Sequence, residues 1–132
     1  MTETLPTYCG ATVHERQLDN GMRVLVAERH LDPVVAVMVW YGVGARHETG
    51  PEAGVSHFLE HMVFMGSEKF PGENHFSDWL AQHWGSENAM TDSEQTTFYF
   101  ECHPKHLKEG LDIFSGYFLN PLLKMDAVER EV

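Results

Sequence analysis

Apolar and polar positions divide this chain into short strands and amphipathic helices. Residues 12–19 and 22–29 read as two strands joined at Asn20-Gly21, a dipeptide that predicts a two-residue type I′ hairpin turn. Pro33 breaks the chain, and the apolar run Val34–Tyr41 predicts a central strand buried on both faces, ended by Gly42 and Gly44. After a loop over 45–52 the period changes. Val55, Phe58, Leu59, Met62 and Val63 recur at three- and four-residue spacing and predict a helix with a buried stripe. Pro51 and Glu52 suit its first turn and Gly66 its stop. Pro71-Gly72 is a turn. Phe76, Trp79, Leu80 and His83 then predict a second helix, from a cap at Asn74 to a stop at Gly85. Two short strands follow at about 87–91 and 96–102, with Phe98, Phe100 and Cys102 on one face and Thr97, Tyr99 and Glu101 on the other. Pro104 opens a third helix with the stripe Leu107, Leu111, Phe114 and Phe118, ended by Asn120-Pro121. Asp126 caps a last helix over 127–132, too short to be stable alone and without a stop signal, so the natural chain is expected to continue. The fold expected is α+β, a mainly antiparallel sheet with helices packed on one face in an incomplete domain. Residues 1–11 are expected to be disordered or extended.

Composition narrows the function classes. With 132 residues the chain is one domain or part of one, and 42% hydrophobic with 22% charged residues is ordinary for a soluble globular protein. Its 20 acidic and 9 basic residues give a net charge of −11, which argues against nucleic acid as a partner. The longest apolar run, Val34–Tyr41, is strand-sized, so no membrane span is expected. Residues 1–10 have neither the basic start nor the apolar core of a secretory signal. Cys9 and Cys102 make no disulfide framework, which suits a reducing compartment and a cytoplasmic location. An incomplete domain leaves a sheet edge and apolar helix faces uncovered, so self-association is expected.

The chemistry concentrates in His57-Phe58-Leu59-Glu60-His61. On a helix that advances about 100° per residue, His61 lies about 40° from His57 and Glu60 about 60° the other way, so all three project from one side. Histidines at i and i+4 suit one metal ion, and the carboxylate beside them can take a proton from water activated there. Ionisable groups on an apolar helix are costly unless paired or metal-bound. This is the reversed form of His-Glu-x-x-His, the inverzincin pattern. A catalytic zinc takes three protein ligands plus water, and His57 and His61 supply two. His103 and His106 straddle Pro104, and Cys102 alternates with Phe98 and Phe100, so all three read as structural. A carboxylate on the last helix, which carries Glu129 and Glu131, or on its continuation is the most attractive third ligand.

These residues resemble the pitrilysin/insulin-degrading-enzyme family (M16) of zinc peptidases. His57 to His61 run on into Met-Val-Phe-Met-Gly-Ser-Glu-Lys-Phe-Pro, closer to the pitrilysin and insulysin branch than to the mitochondrial-processing branch. Asn20-Gly21-Met-Arg-Val resembles the family's opening hairpin, Gly54-Val-Ser56 the lead-in to the motif, and Gly85-Ser-Glu-Asn88-Ala89 its substrate strand. Asn120-Pro-Leu-Leu and Arg130-Glu131-Val132 resemble the approach to the last ligand. The resemblance implies that residues 12–132 are the N-terminal part of an M16-type peptidase domain. It implies Zn2+ on His57 and His61, Glu60 as general base, and Glu131 as an acidic residue supporting the site. It further implies Asn88 and Ala89 on an edge strand that pairs with a peptide substrate, with Phe64 beside the scissile bond. The third ligand, a Glu, would lie beyond Val132, and a homologous half would complete the chamber. The function implied is hydrolysis of extended or small peptides, with poor activity in the isolated chain. A non-catalytic peptide- or partner-binding member of the same fold is the alternative. An S-ribosylhomocysteine-lyase-like enzyme is a weaker rival, because its third ligand is a downstream Cys where this chain has Glu129.

Overall fold

The computed structural model describes residues 3–8 and 10–131, with the side chains of 10–130. It divides into two compact units, residues 1–33 and 34–132. In the first, β1 (Glu3–Tyr8), β2 (Ala11–Gln17) and β3 (Arg23–Glu28) form an antiparallel sheet in the order β1-β2-β3. The β2–β3 connection differs from the type I′ expectation. The Gly21 N–H donates to Leu18 O at 2.9 Å and the Leu18 N–H to Met22 O at 2.8 Å, and Gly21 has φ +86 while Asn20 is not in the left-handed region. This is a three-residue loop with a bulge at Gly21; a type I′ turn needs positive φ at both central residues.

The second unit holds the antiparallel sheet β4-β6-β5, from β4 (Val35–Tyr41), β5 (Ser86–Thr91) and β6 (Thr96–Cys102). Val37 and Ala89 lie on the same face as Phe100 and Phe98, because Val37 and Glu87 both pair with Phe100 and Val39 and Ala89 with Phe98. Helices α1 (Val55–Val63), α2 (His75–Gln82) and α3 (Leu107–Leu119) cover that face, and α4 (Met125–Glu131) packs against α1. The core joins Val63, Phe76, Trp79, Leu80, Phe98, Phe100, Cys102, Ile113, Phe114 and Tyr117. No helix among the described residues is long and apolar enough to cross a membrane.

Three expectations on packing are corrected. Within its sheet β4 is an edge strand, not a central one, and Met38 (57%) and Trp40 (66%) are exposed. An unbroken apolar run gives burial no sidedness, whereas the register against β6 turns only alternate residues inward. Helix α1 starts at Val55: Gly50–Glu52 forms its own 3-10 turn, and Val55 and Leu59 are exposed while Met62 and Val63 are buried. The buried face of α3 is Gly110, Ile113, Phe114 and Tyr117, while Leu111 is exposed. Gly110 hides from an apolar-periodicity reading, yet a Cβ there would stand 3.0 Å from Phe100 Cε2 and 3.3 Å from Trp79 Cη2. The missing side chain lets α3 approach β6 and α2.

Candidate active site

Helix α1 carries the motif and is fixed at both ends. Gly54, at φ +95, precedes the first turn, and the Glu48 carboxylate reaches it from the preceding loop. The Gly54 N–H donates to Glu48 Oε2 at 2.6 Å and the Ser56 N–H to Oε1 at 2.7 Å. Two of the helix's free N–H groups are thus satisfied by one negative charge, placed where the helix dipole favours it. Those two bonds hold the Glu48 carboxyl below the usual carboxylate range. At the other end Met62 and Val63 anchor the helix in the core.

Between these anchors His57 and His61 are exposed and Glu60 half-buried, so the site faces a groove, although the apolar stripe of the helix implies a core-facing position where water is partly excluded. The exposed first turns of α1 explain the difference. His57 Nε2 and His61 Nε2 are 3.1 Å apart, with ring centroids at 4.6 Å and planes at 85°. Two nitrogens bound tetrahedrally at the usual Zn–N length lie about 3.3 Å apart, so the pair fits the bite of one ion. The remaining ligand is not among the described side chains: no group of three His, Cys, Asp or Glu among them can hold a metal. Glu129 is exposed on α4; Glu131 lies on the same helix, and its side chain is outside the described residues.

The groove, of about 480 Å³, is lined by Glu60, His61, Phe64, Met65, Glu73, Asn74, Ser77, Glu87, Asn88 and Ala89. It therefore brings together five of the residues singled out from the sequence: Glu60, His61, Phe64, Asn88 and Ala89. Phe64 caps the C-terminus of α1 and sits edge-on to Phe98 (5.7 Å) and Tyr117 (5.9 Å). Asn88 and Ala89 lie on β5, which among the described residues pairs with β6 alone. The Ala89 N–H donates to Asn88 Oδ1 at 2.9 Å.

Several groups in or behind the groove were not legible from the sequence. Glu87 accepts a hydrogen bond from Ser77 Oγ; burial pushes its carboxyl up, against that bond. Burial, with the nearby Glu87 charge, pushes the Tyr117 hydroxyl up to about 12. Glu73 is held by Arg130 at 2.7 Å. Thr91 Oγ1 donates to Glu60 Oε2 at 2.5 Å. Period-two alternation from Ala89 places Glu87 and Thr91 on the helix-covered face, and that was the available signal. His103 and His106 gather away from the groove with His83: the His83 and His106 rings are 4.2 Å apart, and His83 Nδ1 is 2.6 Å from Trp79 O. Cys102 is buried in the core, as its alternation implied, and burial raises its thiol pKa.

The sequence pattern of the insulinase family (peptidase family M16) matches residues 23–132. The chain is 44% identical to nardilysin of Rattus norvegicus over 110 residues, covering 83% of this chain and 10% of that protein. It is 38% identical to the insulin-degrading enzyme of Homo sapiens over 116 residues, 88% of this chain and 11% of that one. The crystal structure of pitrilysin shares the fold with a TM-score of 0.87 at 29% identity, over 98% of this chain and 14% of that chain. The chain thus spans about a tenth of the length of these curated relatives. Sequence pattern, relatives and fold agree: this chain belongs to the M16 insulinase family of peptidases.

Proposed function

We propose that the protein is a zinc-dependent endopeptidase of the inverted His-x-x-Glu-His type, acting on extended or small peptides. One observation carries the reading: two imidazole Nε2 atoms converge at 3.1 Å beside a carboxylate that faces a groove bordered by a free strand edge. His57 and His61 would hold the metal, with a third carboxylate from outside the described side chains. A bound zinc would polarise the scissile carbonyl and acidify its water. Glu60 then acts as general base: it takes the proton from the attacking water and hands it to the leaving amine. Strand β5 holds the peptide by main-chain pairing at Asn88 and Ala89, which requires an extended substrate. Phe64 forms an apolar wall next to the scissile bond, and Glu131 supports the site from α4. The names of the relatives, an insulin-degrading enzyme among them, support peptide hydrolysis.

With two of three ligands among the described residues, weak zinc binding and little turnover are expected of the 132-residue chain alone. That same shortfall is what favours the second reading, a peptide-binding segment without activity of its own. Zinc stoichiometry and cleavage of a fluorogenic peptide separate the readings when measured for the full-length protein, for its Glu60→Gln variant and for the isolated chain. Replacing the base is expected to lower kcat by at least about 10²-fold while zinc stays bound. Cleavage that does not depend on Glu60 in the zinc-loaded full-length protein would sink the peptidase reading.

A further inference from the structure

We infer that Thr91 is a positioning residue for the catalytic base, locking Glu60 in register with the strand that holds the substrate; the inference rests on the peptidase reading of Glu60. Thr91 is the last residue of β5 and pairs with Thr96 on β6. Its side chain lies on the helix-covered face, where its hydroxyl donates to Glu60 Oε2 at 2.5 Å. A hydroxyl has one proton to give, and the competing acceptor, Thr96 Oγ1, is 3.4 Å away. The Thr96 hydroxyl is itself committed to Val43 O at 3.0 Å. The Thr91 proton therefore goes to Glu60, and the acceptor role of Oε2 is fixed.

Two consequences follow for the chemistry. With Oε2 tied down, Oε1 is the oxygen left to receive the proton of the attacking water, so the carboxylate works from one face and one rotamer. The tie also runs to β5, two residues from Ala89 on the same strand face. A peptide aligned on that edge is aligned with the base through a rigid three-residue stretch. The half-buried Glu60 carboxylate makes no other hydrogen bond to a described residue. Without Thr91 its side chain would choose among rotamers, and small misplacements of reacting groups cost rate steeply.

The test uses the zinc-loaded full-length protein with Thr91→Val, Thr91→Ser and, as the inactive control, Glu60→Gln. Valine keeps the shape and removes the donor; serine keeps the donor. Thr91→Val should lower kcat by about 10–100-fold, with KM and zinc affinity, measured by chelator competition, unchanged. Thr91→Ser should restore most of the lost kcat. A crystal structure of Thr91→Val should show the Glu60 carboxylate in a different rotamer. If Thr91→Val does not fold, Thr91→Ala, which adds no atoms, takes its place. The proposal is overturned if Thr91→Val keeps its kcat while Glu60→Gln is dead, if serine is as impaired as valine, or if the Glu60 carboxylate has not moved. A wild-type protein whose cleavage ignores Glu60→Gln overturns the peptidase reading instead, and the rotamer in the valine variant still decides the role of Thr91.

Discussion

Trp84 occupies a conformation that its residue type resists. Its φ is +59, its side chain is 98% exposed, and it supplies the left-handed residue of the stop after α2, where the Gly85 N–H donates to Leu80 O at 2.8 Å. Glycine usually fills this position. The glycine instead follows, because a Cβ at Gly85 would lie 2.5 Å from Leu80 Cδ2 and 2.6 Å from Glu101 O. Trp84→Gly should therefore stabilise the protein by about 0.5–1 kcal/mol in chemical denaturation, and Gly85→Ala should destabilise it by about 1–3 kcal/mol. Gly85 was legible in the sequence as a stop signal, but its role as the point where α2 meets β6 was not, since contact with a distant strand leaves no local trace. The same division holds at the site. His57, Glu60 and His61 stand out because three reactive groups fall on one side of a helix within five residues. Glu48 and Thr91 do not, because loop folding brings one to α1 and strand pairing the other.

Helix α1 depends on a cap six residues ahead of its first capped N–H. Glu48 has a depressed folded pKa, so its contribution is present above its unfolded value, about 4.3, and is lost as pH falls through the folded one. Glu48→Ala should lower the melting temperature at neutral pH, and the gap to the wild-type protein should narrow as pH is lowered below 4; a gap that stays constant would contradict the capping role. A second pH effect belongs to the contact between α2 and the start of α3. Burial, aided by His83, Lys105 and His103, lowers the pKa of His106, while Glu109 opposes it. The unfolded chain then takes up its proton first, so stability should decline as pH falls below about 6.5. His106→Gln should flatten that decline in a melting series across pH 5–8. The main helices and strands of the second unit were read from periodicity, while the 3-10 turns at Gly50–Glu52 and Pro104–His106 were not. The other errors were of face, in α1, α3 and β4, because periodicity marks a stripe without saying what lies opposite.

At the scale of the molecule, sheet β4-β6-β5 with its helices forms one core, and the groove opens where α1 and α2 flank the free edge of β5. Nothing in the apolar pattern announced a groove: it arises because α1 buries only its last turn and leaves His57 and His61 at the surface. Family membership follows from sequence and fold together; the activity follows only if the site is completed by residues the described part does not contain. The most direct test is zinc-dependent cleavage of a fluorogenic peptide by the full-length protein and its Glu60→Gln variant, with zinc content measured on the same samples. One zinc per chain in both, with cleavage in the wild type reduced at least about 10²-fold in the variant, is the predicted result. Cleavage by the variant at the wild-type rate, or a full-length protein that binds no zinc, would contradict the account.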